Sequence, residues 1–211
     1  MGAKTWMLVR ANGEVADLLK RNPSLDHKAT EQLALRLFPN EKLELIGNGD
    51  LSQTCPPDDE IHLGSFANIS IVAAKEFAPD RPSRLPERFL SAVGEGDTYL
   101  HAMHSAVDWL AFAKWADGKL IRSLSVSPDN GVIEEIGERL PFEEPYWNGQ
   151  HPATEDEEGY PLPFHPLELG EAALKEFFGY QLEGLIDSSL IAPESVLLLK
   201  FRRKKSKWKF W

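Results

Sequence analysis

The sequence predicts an α+β fold: a single domain built on a largely antiparallel sheet, with two or three helices packed on one face. Three observations carry this. The middle of the chain holds two alternating runs, residues 109–115 (WLAFAKW) and 120–126 (LIRSLSV), joined by Ala116-Asp117-Gly118-Lys119. Asp-Gly between alternating runs is the strongest short-range hairpin signal. Two other segments space apolar residues four apart, Ala29/Leu33/Leu37 and Leu169/Ala173/Phe177, as one face of a helix requires. The 211 residues, 42% hydrophobic and 10% aromatic, are enough for one sizeable core.

Taken in order, residues 5–11 (TWMLVRA) form an apolar run suited to a buried first strand, and Asn12-Gly13 turns the chain. Asp26 can cap a helix that runs to Phe38, where Pro39 and Asn40 stop it. Residues 42–46, 60–66 and 68–77 read as strands, with a loop at Cys55-Pro56-Pro57-Asp58-Asp59 and a bulge or turn at Gly64. A loop over 79–86 leads into a short helix over 87–93, and a strand then ends near Ser105. The hairpin follows, closed by a second turn at Ser127-Pro128-Asp129-Asn130-Gly131. Residues 141–166 hold six prolines and the acidic run Glu155-Asp156-Glu157-Glu158, an irregular solvent-facing excursion. Pro166 opens a helix to about Tyr180, with Glu168 and Glu171 in its first turn, and residues 196–201 form a last strand. The domain is expected to span 1–201, with a basic aromatic tail over 202–211.

Charge is segregated along the chain. The formal net charge is −10, yet residues 200–211 (KFRRKKSKWKFW) carry seven of the 23 basic residues and no acid, leaving the body 16 bases against 33 acids, or −17. Such a body repels nucleic acid and anionic membranes over most of its surface. One cysteine, Cys55, precludes an intrachain disulfide and points to a reducing cytoplasm. The N-terminus lacks an apolar run long enough for a signal peptide, and Trp6 stands where myristoylation needs Ser or Thr. Walker, GxGxxG, HExxH, CxxC and GxSxG motifs are all absent, so no motif indicates a cofactor.

Three groups are candidate sites. His101, His104 and Asp108 would share one face of a helix and form a metal triad; on a strand the two histidines face opposite ways and the site cannot form. Arg81, Arg84 and Arg88 could bind an anion beside the short helix, or pair with Asp80, Glu87 and other surface acids. Tyr146 and Trp147 either line a ligand or partner groove or pin their loop to the body. The tail residues Arg202, Arg203, Lys204, Lys205, Lys207, Trp208, Lys209 and Trp211 have three uses. They can dock on the acidic body, grip an anionic membrane, or hold nucleic acid by phosphate contact and stacking.

In the strings MGAKTWMLV, RPSRLPERF, YLHAMHSAVDW, RSLSVSPDNGVIEEIGE and PLPFHPLELGEAAL, the chain resembles an uncharacterised bacterial family, mainly from actinomycetes, known as a domain of unknown function. The resemblance covers residues 1–201 and implies a single-domain bacterial protein. It brings no activity, cofactor or catalytic residue, and the tail extends past it. The expected function is a non-catalytic binding or regulatory protein, inhibitor- or immunity-like, whose acidic surface engages another protein. The alternatives are a metal-dependent hydrolase using His101, His104 and Asp108, and a peripheral binder of membrane or nucleic acid through the tail.

Overall fold

The computed structural model describes residues 2–153, 159–185 and 187–204. Nine strands form one sheet: β1 (Lys4–Ala11), β2 (Leu43–Asp50), β3 (Glu60–Phe66), β4 (Ile69–Ala73), β5 (Asp97–His104), β6 (Trp109–Ala116), β7 (Lys119–Ser127), β8 (Gly131–Ile136) and β9 (Leu197–Arg203). Their order is β2-β9-β3-β4-β1-β5-β6-β7-β8, and every neighbouring pair is antiparallel. The β6–β7 hairpin turns on Asp117 and Gly118, whose φ angles of 49° and 75° suit the two-residue turn that matches strand twist.

The side-chain period of 2 decides how the sheet is covered. In β1, Met7, Val9 and Ala11 point to one face and Leu8 to the other, and all four are buried. In β6, Leu110 and Phe112 take the first face while Trp109, Ala111, Ala113 and Trp115 take the second. A strand buried at both parities needs packing on both sides. The helices supply it. On the first face lie α1 (Val15–Lys20) and α5 (Pro166–Phe178), the latter through Leu169, Ala173 and Phe177. On the second lie α2 (His27–Leu37), through Leu33 and Leu37, and α3 (Glu87–Val93), through Phe89 and Val93. The expected helices on a single face are therefore corrected to helices on both, because both parities of the central strands are apolar. Among the described residues five α-helices occur, the remaining one being the single turn α4 (Glu144–Trp147). No helix among them is long and apolar enough to cross a membrane.

Local chemistry explains most boundaries. Asp26 caps α2 by accepting from Ala29 N at 2.9 Å, and Gly179 ends α5 in the left-handed region at φ 75°. The strand expected over 42–46 continues to Asp50 through a bulge between Leu45 and Gly47. That expected over 68–77 stops at Ala73 and gives way to a 3-10 turn at Lys75–Phe77. Gly64 is no bulge: it pairs regularly with Ile71, and a Cβ there would meet Phe66, Leu198 and Leu25 at 2.9–3.0 Å.

Glu171, on α5, accepts from Leu182 N (2.9 Å) and Glu183 N (3.2 Å) and so ties the following segment to the helix. Burial, aided by the charge of Glu183, pushes its carboxyl up to about 7. The folded-state value lies above the unfolded one, so this group's contribution to stability is complete below pH 4.5 and is lost as pH rises through 7. At about 1.4 kcal/mol per pH unit, reduced because the carboxyl is partly solvated, the loss is about 2 kcal/mol. Chemical unfolding of Glu171→Gln against the parent at pH 4.5 and pH 8 should show the variant gaining about that much on the parent at the higher pH.

Candidate binding groove

Strand register brings three rings into one row. Lys4 and Trp109 lie opposite His104 across β1–β5 and β5–β6, and Trp6 lies two residues along β1 on the same face. Trp6 and His104 stack, with centroids 6.0 Å apart and planes 16° from parallel. The Trp109 indole N–H donates to Ser125 Oγ at 3.2 Å, holding that ring against β7. Ala106 N donates to His104 Nδ1 at 3.2 Å, which fixes the imidazole from the β5–β6 turn.

The opposite wall comes from the loop before α3. Arg81 Nη1 donates to Ile133 O at 2.7 Å, where the β7–β8 register shifts. Glu134 anchors the same loop, accepting from Ser83 N (2.9 Å), Ser83 Oγ (2.6 Å) and Ser123 Oγ (2.5 Å). Burial raises its carboxyl, but these hydrogen bonds and the nearby Arg81 charge outweigh burial and hold it below the usual range. The result is an open groove of about 680 Å³ at one end of the second face, bounded by the sheet, the loop and the turn after β7. Exposed Asp80 and Asp129 stand on its rim, and neither has a hydrogen-bond or ion-pair partner among the described residues. Val107 and Val132, 55% and 43% exposed, form apolar lips.

The three sequence-derived groups fare differently. His101 and His104, three apart on a strand, face opposite sides of the sheet. His101 is buried under α5, with Nε2–H donating to Gly170 O at 3.0 Å, and burial pushes its pKa down to about 4. Asp108 sits in the turn at φ 46°, its carboxylate 3.8 Å from His165 Nε2. The metal triad is thus not assembled, for the reason strand geometry dictates.

Nor do the arginines converge on one anion. Arg81 serves the groove wall, and Arg88 donates to Leu37 O at 2.8 Å, over the Phe89 ring, at the C-terminal end of α2. Arg84 lies exposed on the 3-10 turn between them.

Tyr146 and Trp147 pin their loop. Tyr146 stacks on His151 at 4.4 Å and donates to Glu168 O at 3.4 Å; Trp147 meets Phe164 edge-on at 4.8 Å beneath the Arg139 guanidinium. Neither ring lines the groove. A second cleft, of about 700 Å³, holds Cys55 and His62. Burial raises the thiol and lowers the imidazole, which donates through Nδ1 to Gln53 O at 2.7 Å.

The start of the tail belongs to the fold. β9 continues through Arg203, two residues past the expected end of the domain's last strand. Arg202 pairs with Glu60 at 2.7 Å, Arg203 with Glu76 at 2.7 Å and Glu41 at 3.2 Å, and Lys204 with Glu44 at 3.2 Å. Lys205, Lys207, Trp208, Lys209 and Trp211 lie outside the described residues, as does the acidic run at 155–158.

Sequence reasoning singled out His104 and Arg81 but missed Trp6, Trp109, Asp80 and Asp129. The one available signal was a large aromatic near the end of each of two strands flanking His104. No curated protein and no solved structure matches the chain. Residues 5–201, nearly the whole span from β1 into β9, match the model of DUF6928, a family of unknown function, and the chain therefore belongs to that family.

Proposed function

We propose that the protein is a non-catalytic binding or regulatory factor, inhibitor- or immunity-like, that engages a basic surface of another protein. The observation that carries this reading is the groove: two carboxylates without a partner among the described residues, on an aromatic floor with apolar lips, set in a strongly acidic body. Several of the chain's cations are already committed to its own carboxylates and carbonyls. Arg122 is buried against Glu143, Arg88 serves α2, Arg139 pairs with Glu135, and Arg202, Arg203 and Lys204 pair with acids of the same chain. Among the described residues, Asp80 and Asp129 keep unpaired carboxylates that contribute to the field a partner meets. Complementary potentials speed encounter and bias partner choice, while apolar contact area supplies affinity.

Affinity capture from the protein's own cells at low salt tests this. The expected result is a specific partner with a basic surface, released as ionic strength rises toward 0.5 M. Recovery of an acidic or salt-insensitive partner, or turnover of a metabolite by the purified protein with nothing captured, would overturn the proposal.

A further inference from the structure

We infer that the groove is an anchor site for one arginine side chain of the partner's basic segment; this rests on the reading above and names the contact within it. The shape of the floor is the first argument. Trp6 and His104 stack with planes 16° from parallel, and both line the groove with Trp109 beside them on the same face, an aromatic shelf for a planar group. A guanidinium is planar, weakly hydrated and suited to stacking on such a surface, where a lysine ammonium offers only a point charge.

Charge is the second argument. Asp80 and Asp129 are exposed on the rim and have no partner among the described residues. Arg81, the cation among the groove's lining residues, is turned onto Ile133 O beside the Glu134 carboxylate, and Lys4, beside His104 on β1, is not among the groove's lining residues. An anionic ligand would meet two uncompensated carboxylates. A cationic fork finds in them the acceptors it needs.

Size and lining are the third argument. An opening of about 680 Å³ exceeds one side chain and leaves room for the flanking backbone. Val107 and Val132 at the lips offer apolar surface for the arginine methylenes and neighbouring residues. A peptide segment lying across the groove would cover both lips.

The test is a ¹H–¹⁵N NMR titration of the full chain with Nα-acetyl-arginine methylamide, and with the citrulline analogue as a neutral isostere. The expected result is saturable shifts of the Trp6 and Trp109 indole signals and of amides in residues 78–81, 104–109 and 127–133. Affinity should be at least about fivefold tighter than for citrulline, and about tenfold weaker in Asp80→Asn/Asp129→Asn, whose other signals stay in place. Both positions are exposed, so the variant should keep the fold. Equal binding of citrulline, undiminished binding by the variant, or shifts mapping elsewhere would overturn the site. A basic partner captured equally by parent and variant would sink the arginine anchor while leaving the binding-protein reading intact.

Discussion

Glu143→Ala is expected to lower the free energy of unfolding by about 3 kcal/mol, because it removes the bidentate partner of a buried guanidinium and leaves only the longer contact to the partly exposed Glu135 at 3.5 Å. Arg122 projects from β7 into the interior, and neither it nor Glu143 has any exposed side-chain surface. Their contact is bidentate, Nε to Oε1 at 2.9 Å and Nη2 to Oε2 at 2.6 Å. Arg122 Nη1 also donates to Ile136 O and Gly137 O, each at 3.2 Å, while Glu143 accepts from Leu140 N at 2.8 Å and from the Trp147 indole at 3.4 Å. One ion pair therefore fastens the end of β8 and the turn bearing α4 to the sheet. Urea unfolding followed by tryptophan fluorescence measures the cost. Replacing both partners, as Arg122→Met/Glu143→Leu, should cost markedly less than Glu143→Ala alone, since the apolar pair leaves no charge in the interior. A single variant within about 1 kcal/mol of the parent would show that water reaches Arg122.

Phe89→Ala and Phe178→Ala should each cost about 3–5 kcal/mol, although they lie on opposite faces of the sheet. Phe89, on α3, is 1% exposed and packs edge-on to Phe77 at 5.0 Å. Phe178, at the end of α5, is 1% exposed and meets Tyr99 at 6.0 Å and Phe177 at 5.8 Å. A sheet covered on one side would show a large loss only there. Comparable losses on the two faces, measured by denaturant unfolding, are the energetic signature of a three-layer fold with two cores. A cost below about 1 kcal/mol at either position would contradict it.

Local signals made much of this legible in advance. The Asp117-Gly118 hairpin followed from two residues tolerant of positive φ between alternating strands, and α2 and α5 from four-residue spacing with a cap or an opening proline. The two-sided cover did not follow, because Ala111 and Ala113 read as the weak half of an alternation although both are fully buried. α1 escaped because it has six residues and no side-chain cap, and β8 because it is short, begins at a glycine turn and carries a register shift. Pairing explains the candidate site in the same way. That the strand ending in His104 splits the metal triad was a stated alternative in the residues themselves. That His104 then stacks on Trp6 was not, because the contact depends on β1 pairing with a strand far along the chain, which no local pattern encodes.

A basic partner protein is expected to be held at the groove on the second face. Amide hydrogen exchange, with and without the partner recovered from the protein's own cells, tests it most directly. Binding is expected to slow exchange in residues 78–84, 104–109 and 127–133, which form the loop wall, the turn beside the aromatic shelf and the rim. Slowing confined to α5, to β2 or to the second cleft around Cys55, with those three segments unchanged, would contradict the account.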